Sequence, residues 1–200
     1  LVKDIYSGVG GSAPTNITAL GNGQAVFEAY DPVNGLNHWI TDGTAAGTSL
    51  LERIDSGNYN SNPSNSTALG NGKAVFQARD DYSGAELWIT DGTAGGTTLL
   101  KDIWVGAGAS NPANFTALGN GKAVFQAYDG TNGYELWITD GTTGGTTLVK
   151  DIVAWDGGSY PTNITALGNG KAVFQAYDPT NGTELWITDG TAGGTTLLKD

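Results

Sequence analysis

Short runs of alternating apolar and polar residues follow one another along the whole chain and return at a fixed spacing. In the third copy, the run Ala123–Tyr128 carries Ala123, Phe125 and Ala127 on one face and Val124, Gln126 and Tyr128 on the other. This period of two, with apolar residues on both faces, predicts a β-strand in a sheet packed between other sheets. No segment shows the 3.6-residue spacing of an amphipathic helix.

Each copy contains four short strands separated by glycine-rich turns. In the third copy the predicted strands are residues 115–118, 123–128, 135–139 and 147–152. The Gly-Asn-Gly sequence between the first two strands supplies the positive φ angles that tight hairpins need. Each copy is therefore predicted to form a four-stranded antiparallel meander.

The meander is repeated every 49 residues, and a tryptophan of its third strand marks each copy: Trp39, Trp88, Trp137 and Trp186. We predict a single repeat domain over residues 1–200, with units near 1–49, 50–98, 99–147 and 148–196. Residues 197–200 repeat the first four residues with one exchange, and they read as the start of a further unit. This duplication favours a segment of a longer array.

A fixed period of this length is typical of propellers, solenoids and arrays. Radial repetition of four-stranded sheets gives a β-propeller, so we predict an all-β fold with four propeller blades in this chain. A parallel β-solenoid is the alternative, and the Asn-Gly hairpins argue against it. The four blades either close into a ring or form half of a larger ring completed by a second chain.

The composition limits the partners and the chemistry. The formal net charge of −11 argues against nucleic acid as a partner, because such a surface repels phosphates. The chain has no cysteine, and no apolar run approaches the roughly 18 residues that a membrane span needs. An acidic surface tolerates calcium, but the sequence lacks the interleaved acidic pattern of a calcium loop, so we predict no cofactor and no metal ligand.

One segment carries a resemblance to a known family. The sequence E-L-W-I-T-D-G-T-A-G-G-T at residues 86–97 and 184–195 resembles the ELWxxDGTxxGT repeats of bacterial secreted and surface proteins. The resemblance implies a propeller-like array, extracellular or at the cell surface, and supplies no reaction. The unit length is also similar to that of propeller lectins such as tachylectin-2. The first unit departs from the motif, because Asn37 and His38 replace Glu and Leu; we expect a lost apolar core position and a unit at an edge or junction.

Comparison of the four copies separates constant turns from variable loops. The variable segments are the long loop before the first strand (residues 6–14, 55–63, 104–112 and 153–161) and the turn between the second and third strands. Alternate connections of a meander lie at the same end, so both variable segments share one face. We predict that aromatic residues in these segments bind a ligand: Tyr6, Tyr59, Tyr82, Trp104, Tyr134, Trp155 and Tyr160. The alternative is neutral variation, with the rings covering blade edges.

Three further sets of polar residues recur at fixed positions. The aspartates that end the second strand are predicted to accept sugar hydroxyls or to bind a cation, or else to initiate the turn: Asp31, Asp80, Asp129 and Asp178. The aspartates of the Asp-Gly-Thr turn are predicted to hydrogen-bond their own backbone: Asp42, Asp91, Asp140 and Asp189. The asparagines of the N-x-T sequences are predicted to form a turn or a hydrogen bond between blades: Asn16, Asn65, Asn114 and Asn163.

The sequence favours binding over catalysis. His38 is the single histidine, so neither a zinc cluster nor a nucleophilic triad can be built. Every recurring acid is repeated about a ring, whereas catalytic sites are asymmetric. We therefore expect a non-enzymatic, multivalent binding module with carbohydrate as the ligand. The alternative is a structural unit of a surface layer, fibre or adhesin, or an engineered repeat scaffold, which self-associates and binds no small ligand.

Overall fold

The computed structural model describes residues 1–55, 61–154 and 157–199, which form four separate four-stranded sheets. Blade 1 contains β1 (Thr15–Ala19), β2 (Ala25–Asp31), β3 (Gly35–Thr41) and β4 (Ser49–Leu50). Blade 2 contains β5 (Ser64–Ala68), β6 (Ala74–Asp80), β7 (Gly84–Thr90) and β8 (Thr98–Lys101). Blade 3 contains β9 (Ala113–Ala117), β10 (Ala123–Tyr128), β11 (Tyr134–Thr139) and β12 (Thr147–Lys150). Blade 4 contains β13 (Thr162–Ala166), β14 (Ala172–Asp178), β15 (Gly182–Thr188) and β16 (Thr196–Lys199).

Every sheet is an antiparallel meander in chain order, as the alternation and the turns predict. In blade 3 the hairpin between β9 and β10 closes with the Leu118 amide donating to the carbonyl of Lys122 over 2.9 Å. Gly119 and Gly121 have φ angles of 81° and 80°, which a side chain would oppose. The predicted bounds differ from the observed ones only at the first, third and fourth strands, by one or two residues.

The first strand of each blade carries an irregularity at the asparagine of the N-x-T sequence. Asn114 has a φ of 57°, a left-handed conformation that asparagine tolerates, and the register between β9 and β10 shifts there. Its side-chain amide donates to the carbonyl of Pro161 in the next unit over 3.2 Å. The prediction of a hydrogen bond between blades is thus confirmed for Asn114. Thr116 adds a second such bond to the Ile164 carbonyl over 2.7 Å.

Each sheet has two apolar faces of different composition, and the core lies between consecutive blades. We call one the leucine face, which in blade 3 consists of Leu118, Val124, Leu136, Ile138 and Val149. The other is the tryptophan face, which in blade 4 consists of Ala172, Phe174, Ala176 and Trp186. The leucine face of blade 3 packs on the tryptophan face of blade 4, and blade 2 packs on blade 3 in the same way.

The four blades form an open arc, because the leucine face of blade 4 is uncovered. Leu185 of this face is 44% exposed, whereas the equivalent Leu136 of blade 3 is fully buried. The ring is therefore not closed by the four blades of one chain.

The first unit lies at one end of this arc, but its departure from the motif is not the cause. The position of His38 stays in the core, since its side chain is fully buried between blades 1 and 2, but it holds a polar ring where blade 3 has the apolar Leu136. Its ring packs on Phe76 with centroids 4.1 Å apart, and Nε2 lies 3.0 Å from Oγ of Ser66. The face of blade 1 that lacks a neighbouring blade is the opposite one, the tryptophan face, where Ile5 and Leu50 pack against the buried Phe27, Ala29 and Trp39. Among the described residues, no helix is long and apolar enough to span a membrane.

Candidate functional site

The variable segments meet at one end of the blades, as predicted. Trp104, in the loop that enters blade 3, packs edge-on against Tyr128 at the end of β10, with ring centroids 4.7 Å apart. In blade 1, Tyr6 stacks on Tyr30 at the equivalent place, with centroids 5.9 Å apart. We call this end of the blades the loop face.

Four aromatic side chains of the loop face contact one another in sequence, and we call them the aromatic row: Trp104, Tyr128, Tyr134 and Tyr160. Centroid distances along the row are 4.7, 5.3 and 5.7 Å, which lie in the range of favourable aromatic pairs. The row crosses from blade 3 to the loop that enters blade 4. Its two ends are open to solvent, since Tyr160 is 57% exposed and Trp104 is 38% exposed.

Polar groups hold the row in place. The Asn111 amide donates to the Tyr134 hydroxyl over 3.4 Å, and the Tyr160 backbone amide donates to the Tyr134 carbonyl over 3.0 Å. Tyr160 has a φ of 49°, and the equivalent residues Ala13, Asn62 and Asn111 share this left-handed conformation. For a bulky side chain such a backbone is strained by roughly 1–3 kcal/mol.

The other predicted aromatic residues are placed differently. Tyr82, on the turn between β6 and β7, is 81% exposed, and no ring pair includes it within the described ranges. Tyr6 is half-buried against Tyr30. Tyr59 and Trp155 lie outside the described residues.

A cleft of about 420 Å³ adjoins the aromatic row at blade 4. Two tyrosine rings, Tyr160 and Tyr177, and the polar side chains of Ser159, Gln175 and Thr183 line it. The cleft therefore combines apolar ring surface with hydrogen-bonding groups.

The aspartates that end the second strand hold the turns of the loop face. Asp129 Oδ1 accepts the backbone amides of Thr131 and Asn132 at 2.9 and 2.7 Å, and its Oδ2 accepts the Asn132 side-chain amide. Asp31, Asp80 and Asp178 accept the two equivalent backbone amides. The hydrogen bond from Asn181 also holds the pKa of Asp178 below its usual range. These contacts bear out the turn-initiating role.

The Asp-Gly-Thr turns at the opposite end are structural, as predicted. Asp140 Oδ1 accepts the backbone amide and the hydroxyl of Thr142, and the Thr142 hydroxyl oxygen accepts the Gly145 amide. The same contacts occur in the other three blades. The hydrogen bond from Thr142 lowers the pKa of Asp140. Across the described ranges, no three His, Cys, Asp or Glu side chains come together as metal ligands would.

Sequence reasoning missed a buried glutamate that joins consecutive blades. Both oxygens of Glu86 in β7 accept hydrogen bonds from the loop entering blade 3: from the amides of Ile103 and Ser110 at 2.8 and 2.7 Å, and from the Ser110 hydroxyl at 2.6 Å. Glu135 of blade 3 binds Val153 and Ser159 in the same manner. We call each such group a glutamate joint.

Burial raises the pKa of Glu86 and of Glu135 to about 7, and the hydrogen bonds of the joint oppose this shift in part. In blade 1, Asn37 stands at this position and accepts the Ser61 hydroxyl over 3.0 Å. A sequence signal for the joint existed, because a serine recurs within the variable loops every 49 residues: Ser12, Ser61, Ser110 and Ser159.

Comparison with solved structures shows the fold. A mutant of puromycin hydrolase complexed with PGG is similar to the chain with a TM-score of 0.59 and 18% identity, over 94% of this chain and 28% of that protein. A second structure of puromycin hydrolase has a TM-score of 0.54 and 19% identity, over 94% and 30%. The putative TolB of Agrobacterium tumefaciens has a TM-score of 0.54 and 12% identity, over 98% and 68%.

These neighbours are β-propeller proteins, so the predicted fold is confirmed: the chain is an all-β propeller of four-stranded antiparallel blades. The chain spans less than a third of the length of puromycin hydrolase, and identities below 20% show the fold alone. No protein-family model matches the chain, and no curated protein matches it.

Proposed function

We propose that the chain is a non-enzymatic, multivalent binding module of the bacterial exterior that binds carbohydrate on its loop face. The aromatic row carries this proposal, because its rings are partly exposed and are fixed by contact with one another. Aromatic rings offer a flat apolar area that matches the C–H face of a sugar, at low cost in side-chain entropy.

The backbone of Tyr160 supports a role for its ring in binding. The other units place Ala13, Asn62 and Asn111 at the left-handed position, and asparagine adopts this conformation readily. A tyrosine there costs stability without burying its side chain, since Tyr160 stays largely exposed. Strained residues of this kind occur at ligand sites.

The cleft beside Tyr160 provides the polar half of a carbohydrate site. Gln175 and Thr183 present amide and hydroxyl groups that can donate to and accept from sugar hydroxyls. We assign the aspartates Asp31, Asp80, Asp129 and Asp178 a supporting role, because their carboxylates hold the turns on which the loop face is built.

Glu86 and Glu135, the acids whose pKa values burial raises to about 7, support binding rather than catalysis. A strongly perturbed carboxyl group in a cleft is a common mark of an active site. Here Glu86 and Glu135 are fully buried, and each is occupied by backbone and serine donors inside a joint. Neither carboxylate is open to a substrate.

Tryptophan fluorescence tests the proposal, since Trp104 is half-exposed whereas the four core tryptophans are buried: Trp39, Trp88, Trp137 and Trp186. In a Trp155→Phe background, addition of a binding oligosaccharide should shift the Trp104 emission in a saturable manner. Tyr160→Ala should weaken binding at least about tenfold, which corresponds to roughly 1.4 kcal/mol.

Val105→Ala is the matched control, because Val105 is an exposed apolar residue of the same loop without an aromatic ring. This variant should bind like the parent. If Tyr160→Ala binds as well as Val105→Ala does, the aromatic row is not the site.

An assembly unit is the second candidate function. The uncovered leucine face of blade 4 favours it, because exposed contiguous apolar surface commonly marks a protein interface. Assembly through this face would cover part of the cleft, because Thr183 stands where Tyr134 stands, and the Tyr134 carbonyl accepts the backbone amide of Tyr160 from the following unit.

A further inference from the structure

Every joint inside the chain has the same two parts. The leucine face of one blade packs on the tryptophan face of the next, and a buried side chain of the third strand binds the loop that enters the next blade. The partner in that loop is a fully buried serine in all three joints: Ser61, Ser110 and Ser159. The two ends of the arc each carry one unmatched half of such a joint.

Blade 4 carries the first half. Its leucine face is exposed at Leu167, Leu185 and Leu198, whereas the equivalent side chains of blade 3 are buried. Glu184, which stands where Glu86 and Glu135 stand, is only half-buried. Blade 4 therefore presents an apolar face and a carboxylate in the arrangement that receives a following blade elsewhere in the chain.

Blade 1 carries the second half. Ser12 occupies the position of the joint serines but is half-buried, and Pro14 is exposed where Pro112 and Pro161 are buried. Ile17 is 68% exposed, while the equivalent Ile164 packs into the core between blades 3 and 4. Blade 1 thus presents the serine donor and the exposed Ile17 at the edge of its tryptophan face, while Phe27, Ala29 and Trp39 of that face are buried with Ile5 and Leu50 packed against them.

We propose that the leucine face of blade 4 binds the tryptophan face of blade 1 in a second copy of this chain, with Ser12 of that copy donating to Glu184. The contact repeats the joint between blades 3 and 4, in which the Ser159 hydroxyl lies 2.5 Å from Glu135. Both halves belong to one sequence, so the surface that fits each open end is already present in the molecule.

The open arc indicates how many copies take part. Head-to-tail contacts close into a ring or continue as a filament. Since four blades leave the arc open, the smallest ring of whole chains contains two copies and eight blades. Both open ends are then covered in one step, and each copy makes two joints.

Residues 1–3 of one copy and β16 of the other would occupy the same position on blade 1 in this joint. Lys3 donates to the Thr48 carbonyl, as Lys101 donates to Thr146 and Lys150 to Thr195. Residues 1–3 therefore lie on blade 1 where the fourth strand of a preceding blade would lie. β16 is the fourth strand of blade 4, where Leu197 pairs with Trp186. Because blade 4 of the other copy is the preceding blade in the joint, its β16 would occupy the position that residues 1–3 fill here.

The chain is acidic, with a formal net charge of −11, so like-charge repulsion opposes association. Salt should therefore strengthen the assembly, since the joint is mainly apolar and salt screens the repulsion. Removal of residues 1–4 should also tighten it, because the place on blade 1 is then free.

Sedimentation velocity from about 1 to 100 µM tests the proposal over the range of moderate affinities. The parent chain should form a two-copy species of twice its 20.5 kDa mass. Leu185→Glu and Ile17→Glu each place a charge on one open face and should each reduce the species to one copy. Val33→Glu, on an exposed turn away from both faces, is the matched control and should assemble like the parent.

A mixing experiment identifies the two faces that meet. Leu185→Glu retains an intact blade 1 face and Ile17→Glu retains an intact blade 4 face, so an equimolar mixture should form a mixed pair through one joint. Circular dichroism of each variant establishes that its blades are folded. A parent chain that stays single at all concentrations overturns the proposal and assigns the open faces to another partner. Assembly that neither variant affects, or that removal of residues 1–4 abolishes, also overturns it.

Discussion

Ser159 donates its hydroxyl hydrogen to Oε2 of Glu135 over 2.5 Å and its backbone N–H to Oε1 of the same carboxylate over 3.0 Å. The two residues belong to consecutive units, and both are fully buried. The pair therefore fixes the loop that enters blade 4, and with it the position of Tyr160, the next residue. The joint between blades and the aromatic row of the loop face are parts of one structure.

Loss of the Glu135 carboxylate should destabilise the chain. Glu135→Ala leaves the amides of Val153 and Ser159 and the Ser159 hydroxyl buried without their acceptor, at a cost of roughly 2–4 kcal/mol. Urea denaturation followed by circular dichroism measures the change. Glu184→Ala is the matched control at low protein concentration and should cost less than about 0.5 kcal/mol. Equal costs at the two positions would contradict the role of the joint.

The joint glutamates should make stability fall as the pH rises. Burial raises the pKa of Glu86 and Glu135 to about 7, above the ordinary value of 4.5 for this side chain, so the folded state binds the proton more tightly than the unfolded state. Their contribution is complete below pH 4.5 and is lost as the pH rises through 7, on the order of 1–2 kcal/mol each after screening. In the double variant Glu86→Gln, Glu135→Gln, these two side chains are uncharged at every pH. Its melting temperature relative to the parent should rise between pH 5 and pH 8, and a constant difference would contradict the assignment.

His38 should make the chain sensitive to acid in the opposite direction. Burial lowers the pKa of His38 from 6.5 to about 3, so its contribution to stability is lost as the pH falls from 6.5 towards 3. The loss is about 1.4 kcal/mol per pH unit within this window. The double variant His38→Leu, Ser66→Ile installs the apolar pair that Leu136 and Ile164 provide between blades 3 and 4. Its stability at pH 5 should exceed that of the parent, while Ser66→Ile alone should retain the acid sensitivity.

In the Asp-Gly-Thr turn of blade 2, a methyl group should be destabilising at Gly96 but tolerated at the adjacent Gly95. A Cβ on Gly96 would lie 2.0 Å from Oδ1 of Asp91, which Thr93 holds in place, whereas a Cβ on Gly95 meets nothing within 4 Å. Gly96→Ala should therefore cost roughly 1–2 kcal/mol through loss of the Asp91 hydrogen bonds. Gly95→Ala is the control with the same change in composition. Thermal unfolding of the two variants compares them, and similar melting temperatures would show that the turn relaxes freely.

Much of the fold could be predicted from local sequence. The Gly-Asn-Gly turns and the alternation in Ala123–Tyr128 determine a hairpin and its two faces, and the structure confirms both. The repeat then extends one blade to four. These features depend on neighbours in sequence, for which turn chemistry and side-chain period are sufficient.

The glutamate joints could not be recognised from the motif alone. Glu86 and Glu135 stand at the start of a strand in a recurring motif, whereas their partners lie in loops that differ between units. Only the recurrence of Ser110 and Ser159 within those loops marked the contact. Likewise, Leu185 has the same sequence context as Leu136, so its exposure follows from its place at the end of the arc and not from residue type.

A glycan array probed with the purified chain, with and without a calcium chelator, tests whether the loop face binds carbohydrate. We expect binding to a defined class of sugars, lost in Trp104→Ala and Tyr160→Ala and retained in Val105→Ala. Sensitivity to the chelator would add a cation to the site. An array that stays blank under both conditions, with a folded chain, would contradict carbohydrate binding by the loop face.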